Sequence, residues 1–155
     1  MQKLQNIIGL FGTSGNSVWR EPVMHRLEEE GIPYFNPVVK SGWKPEMAVI
    51  EAEHLATDRV ILFVITGETE SLGSLAETGW AALSGLKNGQ TVLFVVQDYE
   101  PQINWVDKLV GADNYADAAV RTRKLVRAHM QKTGIPIYET VADALEAAVK
   151  LFHAD

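Results

Sequence analysis

Two runs, Val60-Ile-Leu-Phe-Val-Ile65 and Thr91-Val-Leu-Phe-Val-Val96, apolar throughout but for the opening Thr91, constrain this chain most. Each is six residues long and rich in β-branched and aromatic side chains, with no alternation of polar positions. A strand of that kind is buried on both faces, which is the condition of a parallel sheet covered by helices. A third such run, Ile7 to Phe11, opens the chain.

The segments between the runs carry helical periodicity. After Ile7–Phe11 comes a loop, Gly12-Thr-Ser-Gly-Asn-Ser17, and then a helix ending near Glu30, with Trp19, Val23 and Leu27 on one face and Gly31 as its stop. Pro33–Pro37 reads as a short second strand. Glu46–Ala56 reads as a helix with Met47, Ile50 and Leu55 turned to the core. Val60–Ile65 is the third strand, Ser74–Leu86 the third helix, Asn88-Gly89 a turn, and Thr91–Val96 the fourth strand. Further on, the pattern predicts a short helix over Ile103–Val110, a long one over Asp113–Lys132 with a stop at Gly134, a fifth strand over Ile135–Tyr138 and a last helix over Val141–Phe152. Strand–helix alternation of this kind predicts a single α/β domain over residues 1–155, flavodoxin-like and doubly wound, with strand order 2-1-3-4-5. The loops Gly12–Ser17, Thr66–Gly73 and Gln97–Pro101 would then share the carboxyl edge of the sheet, where ligands of open α/β sheets bind.

Composition removes several classes of function. The 155 residues include no cysteine, which excludes disulfides, thiolate metal sites and cysteine nucleophiles. Net charge is −6, which argues against a nucleic-acid polymer or an anionic membrane as partner. Met1-Gln-Lys-Leu-Gln lacks the long apolar core of a secretory leader, and no apolar run approaches the roughly 20 residues of a membrane span, so a cytoplasmic location is expected. His25, His54, His129 and His153 are scattered without an i,i+4 ligand pair, so neither a metal nor a cofactor is expected. There is no G-x-S-x-G elbow. Arg121, Arg123, Lys124, Arg127 and Lys132 fall late in a helix and read as a solvated basic face.

The chemistry-bearing segment is Ser71-Leu-Gly-Ser-Leu-Ala-Glu77-Thr-Gly-Trp-Ala81, directly beyond the third strand. Glu77 has two readings. Ser74-Leu-Ala-Glu77 matches a capping box, in which the glutamate returns to the serine N–H. Alternatively Glu77 points into a cleft and attacks an electrophilic carbon. The first loop is neither a P-loop nor a G-x-G-x-x-G fingerprint, yet its small and hydroxyl residues suit the wall of a sugar or phosphate pocket. Glu51 lies on the second helix, where a solvated face also explains it. Among the tryptophans, mostly core or cleft wall, Trp19 and Trp43 flank predicted loops and are candidates to stack on a planar base.

Taken in order, Gly9-Leu-Phe-Gly-Thr-Ser-Gly, Trp19-Arg-Glu, Asn36-Pro37, Glu51-x-x-x-Leu55-x-x-Asp58 and Ser71-Leu-Gly-Ser-Leu-Ala-Glu77-Thr-Gly-Trp-Ala81 resemble the nucleoside 2-deoxyribosyltransferase-like family over residues 5–96. The resemblance implies a flavodoxin-like fold and cleavage or transfer at the N-glycosidic bond of a nucleoside or nucleotide. It implies Glu77 as nucleophile, Glu51 as proton donor, Gly12, Thr13, Ser14, Trp19, Ser71 and Gly73 around the substrate, and a homo-oligomer. The chain carries Ser71, beside Glu70, where classical transferases have an aspartate, and Leu10 where they have a tyrosine. A related N-glycoside hydrolase and a noncatalytic nucleotide or nucleotide-sugar binding domain both stay open. A phosphoribohydrolase of the cytokinin-activating type fits least, because its Pro-Gly-Gly-x-Gly-Thr run is missing.

Overall fold

The structure is a computed structural model that describes residues 3–39, 42, 44–100 and 112–154. Its elements run β1 (Gln5–Gly12), α1 (Arg20–Glu29), β2 (Tyr34–Phe35), α2 (Pro45–Thr57), β3 (Asp58–Ile65), α3 (Leu72–Asn88), β4 (Thr91–Val96), α4 (Ala112–Thr133), β5 (Ile137–Tyr138) and α5 (Val141–His153). The five strands form one parallel sheet in the order β2-β1-β3-β4-β5, as the alternation of runs predicts. Trp43 and the helix expected over 103–110 lie outside the described residues.

The continuous apolar runs are explained by the two layers they separate. Successive side chains of a strand point to opposite faces. Ile8, Leu10, Val60, Leu62, Val64, Leu93 and Val95 face one layer, with Val23 and Leu27 of α1 and Ala144, Leu145 and Ala148 of α5. Phe11, Ile61, Phe63, Ile65, Val92, Phe94 and Val96 face the other, with Leu55 of α2, Leu75, Ala81 and Ala82 of α3, and Val126 and Met130 of α4. The two edge strands hold only two paired residues each, shorter than expected, because each pairs along one side only.

Three expectations fail locally. Ile50 is 46% exposed, since α2 packs through Leu55 and Thr57. Trp80 is half exposed on the outer side of α3. Arg123 is buried, not solvated: its guanidinium reaches under the loop after β3 and donates to the carbonyls of Thr66 and Thr69 at 2.8 and 2.7 Å.

At the carboxyl edge, β1 ends on Gly12 with φ +117°. A Cβ there would lie 1.9 Å from the Val64 carbonyl oxygen. Only glycine lets β1 close this tightly on β3 while the next residue, Thr13, donates its N–H to Val64 O at 2.8 Å.

Candidate active site

Beside Gly12 the two loops after β1 and β3 are tied by hydroxyls. Thr13 Oγ1 and Ser71 Oγ lie 2.8 Å apart, Ser71 Oγ is 3.0 Å from Thr69 Oγ1, and Thr13 Oγ1 also accepts the Thr66 N–H at 2.9 Å. Ser71 precedes α3 in the left-handed region at φ 53°, the only non-glycine at positive φ among the described residues. Such a conformation costs on the order of 1 kcal/mol and persists where surrounding bonds fix it.

This junction decides between the two readings of Glu77. α3 begins at Leu72, three residues before the capping box requires, and its N-cap makes no side-chain bond. Ser74 is therefore a buried residue of the first turn and Glu77 belongs to the second turn. The capping box is absent. Glu77 instead lines a cavity of about 410 Å³ together with Glu51 of α2, Arg20 of α1, Phe11, Gly12, Ser14 and Gly15 after β1, Pro37, Val38 and Val39 after β2, and Gly73 and Ser74 of α3. The volume lies within the ~300–1,000 Å³ range of small-molecule sites. Asn36 shapes the apolar wall: its Oδ1 accepts the Val38 N–H at 3.0 Å, while its Nδ2 donates to Met24 Sδ.

Of the eight residues named from sequence, Glu77, Glu51, Gly12, Ser14 and Gly73 meet in this cavity. Thr13, Ser71 and Trp19 stand behind it. Thr13 is buried and its hydroxyl is consumed in the loop tie; Ser71 shares that tie and does not line the hollow. Trp19 is buried in the core against α1, and its indole Nε1 donates to Thr13 O at 2.8 Å, so it has no free ring face for a base.

Arg20 is the residue missed by sequence reasoning. It stands in Trp19-Arg-Glu21 at the start of α1, where an arginine ordinarily faces solvent. Here the guanidinium is buried. It donates through Nε to Leu10 O at 3.1 Å, through one terminal nitrogen to Gly12 O at 3.0 Å and through the other to Thr13 O. It thereby satisfies carbonyls at the carboxyl end of β1. Its carbon also sits 4.4 Å from the centre of the Trp19 ring, a cation–π distance.

Burial lowers the Arg20 pKa to about 10, against the opposing pull of the Glu51 and Glu77 charges, so it stays a cation at neutral pH. Burial raises the Glu77 pKa above the usual carboxylate range; the Glu51 charge adds to the rise and the Arg20 charge offsets part of it. Two carboxyl groups and one fixed cation thus sense each other across one hollow. Such a set can hold one proton between two acids and oppose positive charge growing on a bound carbon.

A larger hollow of about 830 Å³ lies over β4 and β5, lined by Glu68, Gln97, Asp98, Arg127 and Tyr138 among others. Its arginine is committed to Val96 O and to Asp98, at 2.8 Å from the latter. It holds neither Glu77 nor Glu51, so size alone does not mark the site. Among the described residues no group of acidic and histidine side chains is arranged to hold a metal ion, and no helix is long and apolar enough to cross a membrane.

A family model described as nucleoside 2-deoxyribosyltransferase like matches residues 7–99, which span β1 through β4 and every residue lining the 410 Å³ cavity. The chain belongs to that family. No curated protein matches the sequence. Among solved structures, it is similar to the TIR domains in the structure of the activated Roq1 resistosome directly recognizing the pathogen effector XopQ. The TM-score is 0.55 at 14% identity, over 92% of this chain and 96% of that one. At that identity the likeness concerns the fold alone. The family member described here extends past the matched region through α4, β5 and α5.

Proposed function

We propose that the protein cleaves or transfers the N-glycosidic bond of a nucleoside or nucleotide, through Glu77 as nucleophile with retention at the anomeric carbon. The observation that carries this reading is the meeting of Glu77 and Glu51 in one cavity beside buried Arg20. Retaining glycoside chemistry uses two carboxyl groups in different protonation states.

In the first step the Glu77 carboxylate bonds to C1′ as the C–N bond breaks, and Glu51 gives its proton to the departing base nitrogen. The transition state is oxocarbenium-like, and the negative charge of Glu77 stabilises it. In the second step water or an acceptor base attacks C1′ of the glycosyl ester. Glu51, now a carboxylate, takes the incoming proton and Glu77 is released. Arg20 limits the repulsion between the two acids and keeps Glu77 able to ionise. Gly73, where a Cβ would meet nothing within 4 Å, lets backbone approach the ligand closely, and Pro37, Val38 and Val39 offer an apolar wall for a planar base. The small-molecule partner is accordingly a nucleoside or nucleotide.

Incubation with a panel of nucleosides, deoxynucleosides and their 5′-phosphates, followed by chromatography, checks the proposal. Free base, or exchanged base when an acceptor is added, is the expected product. Thermal stabilisation by a panel member with no turnover on long incubation would instead establish a noncatalytic binding domain.

A further inference from the structure

Helix α2 is fastened to the rest of the molecule by its last turn. Pro45, Glu46, Ala48, Val49 and Ile50 are exposed and Met47 is half-buried, so the first half of the helix has little to rest on. The last turn is held from several sides. Leu55 enters the core, Gln90 Nε2 donates to Leu55 O at 3.1 Å, Asn88 Nδ2 donates to Ala56 O at 3.3 Å, and Gln5 Nε2 donates to the Thr57 hydroxyl at 2.8 Å. Glu51 stands one turn before these fastenings. His54 and Leu55 follow it by three and four residues and so share its side of the helix. Where the Glu51 carboxyl sits in the cavity is therefore set by the tilt at which the last turn holds α2.

His54 ties that tilt to the cavity wall. Its Nδ1 lies 2.9 Å from Oδ1 of Asp58, the first residue of β3. Its ring lies flat on Phe35, with 3.6 Å between centres and 3° between planes. Phe35 packs on Phe11 at 5.8 Å, and both Phe11 and Pro37 line the cavity. One imidazole thus joins α2, the start of β3 and the end of β2. Stacking alone lets a ring slide in its own plane; a hydrogen bond to a fixed oxygen stops it. Asp58 supplies that oxygen. It is wholly buried, and its main-chain oxygen accepts from Gln90 Nε2 at 2.7 Å. Its Oδ2 has no partner among the described residues, a cost that an apolar side chain at this position would avoid. We propose that the Asp58–His54 pair is a positioning device for Glu51, locking α2 and the Phe35–Pro37 corner so that the Glu51 carboxyl faces Glu77 across the cavity. The role of Glu51 as proton donor rests on the glycosidic reading above; its placement does not.

Burial first and the Glu51 charge second raise the Glu77 pKa, so the titration of Glu77 reports how near Glu51 stands, in the free protein and without turnover. Carbon-13 NMR titration of the side-chain carboxyls measures it, with the Glu77 signal assigned by its loss in Glu77→Gln. In the wild-type background Glu51→Gln lowers the Glu77 pKa. In Asp58→Ala, and separately in His54→Phe, that pKa is already lower and Glu51→Gln moves it less than half as far. Asp58→Asn keeps an acceptor oxygen for His54 and leaves the full effect of Glu51→Gln in place. Leu145→Ala, which loosens the opposite layer, does the same. Circular dichroism checks the folding of each variant; should Asp58→Ala fold poorly, His54→Phe decides. With a substrate from the panel, Asp58→Ala lowers kcat about tenfold with KM within about twofold, and Asp58→Asn keeps the wild-type kcat. A full effect of Glu51→Gln in folded Asp58→Ala or His54→Phe, or its loss in Asp58→Asn or Leu145→Ala, overturns the proposal. If no panel member is cleaved, the glycosidic reading falls and the titration still decides how Glu51 is held.

Discussion

Burial pushes two carboxyl groups above their usual range at opposite ends of the sheet, and their surroundings could hardly differ more. Asp58 begins β3 at the amino edge and is wholly buried, with a pKa raised from 3.8 to about 6 by burial, against the opposing effect of His54. Its Oδ1 lies 2.9 Å from His54 Nδ1, the His54 ring stacks on Phe35 at 3.6 Å, and Gln90 Nε2 donates to its main-chain oxygen at 2.7 Å. Oδ2 has no hydrogen-bond partner and crowds Gly9, where any Cβ would come within 2.6 Å. Glu77, past the carboxyl edge, faces a cavity and a second acid. Helix α2 reaches both places, giving Glu51 to the open one and His54 to the sealed one. A shifted carboxylate is therefore no mark of a site by itself; access and a partner acid are what separate the two.

The sharpest way to break this contrast is Glu77→Gln. If Glu77 is the nucleophile, base release falls by about 10³-fold or more while the melting temperature barely moves. Next in size is Arg20→Met, which removes the guanidinium's donors to the Leu10, Gly12 and Thr13 carbonyls at the end of β1, leaving Thr13 O only the Trp19 indole N–H, and costs about 3 kcal/mol in chemical denaturation. It also removes the charge that holds Glu77 down, so the acid limb of the pH–rate profile moves to higher pH. Glu51→Gln lowers the rate by about 10²-fold and shifts the acid limb the other way, because the repulsion on Glu77 is gone.

The smallest effect belongs to the sealed end. Folded Asp58 holds its proton more tightly than the unfolded chain does. Its contribution to stability is thus fully present below pH 3.8 and is lost as pH rises through about 6. Wild-type stability should fall by roughly 2–3 kcal/mol from this group across that window, and the slope should flatten in Asp58→Asn. Glycosidic activity should be little changed in that variant, since Asp58 does not line the cavity.

The architecture was largely legible because β3 and β4 are buried on both faces and their sequences say so without interruption. Gly12, Glu51 and Glu77 were legible for a different reason: their order along the chain matches a family. What escaped was set by tertiary contact. Arg20 and Arg123 sit on helices whose polar residues read as solvated, yet each buries a guanidinium because carbonyls at a strand end need donors. The capping box at Ser74 failed because Ser71 takes a left-handed conformation, stabilised by Thr13 from a loop 58 residues earlier, and starts the helix sooner. Trp19 looked available because it borders a loop, but its indole N–H holds that loop closed. Ile50 and the outer face of α3 show the reverse case, apolar positions that the single chain leaves uncovered.

Intact-protein and peptide mass spectrometry after rapid acid quench, with a substrate found in the panel, tests the central claim most directly. The account predicts a glycosyl ester carried by the peptide that contains Glu77, missing in Glu77→Gln and accumulating when no acceptor is present. A sugar on any other residue, or base release from Glu77→Gln at the wild-type rate, would contradict it.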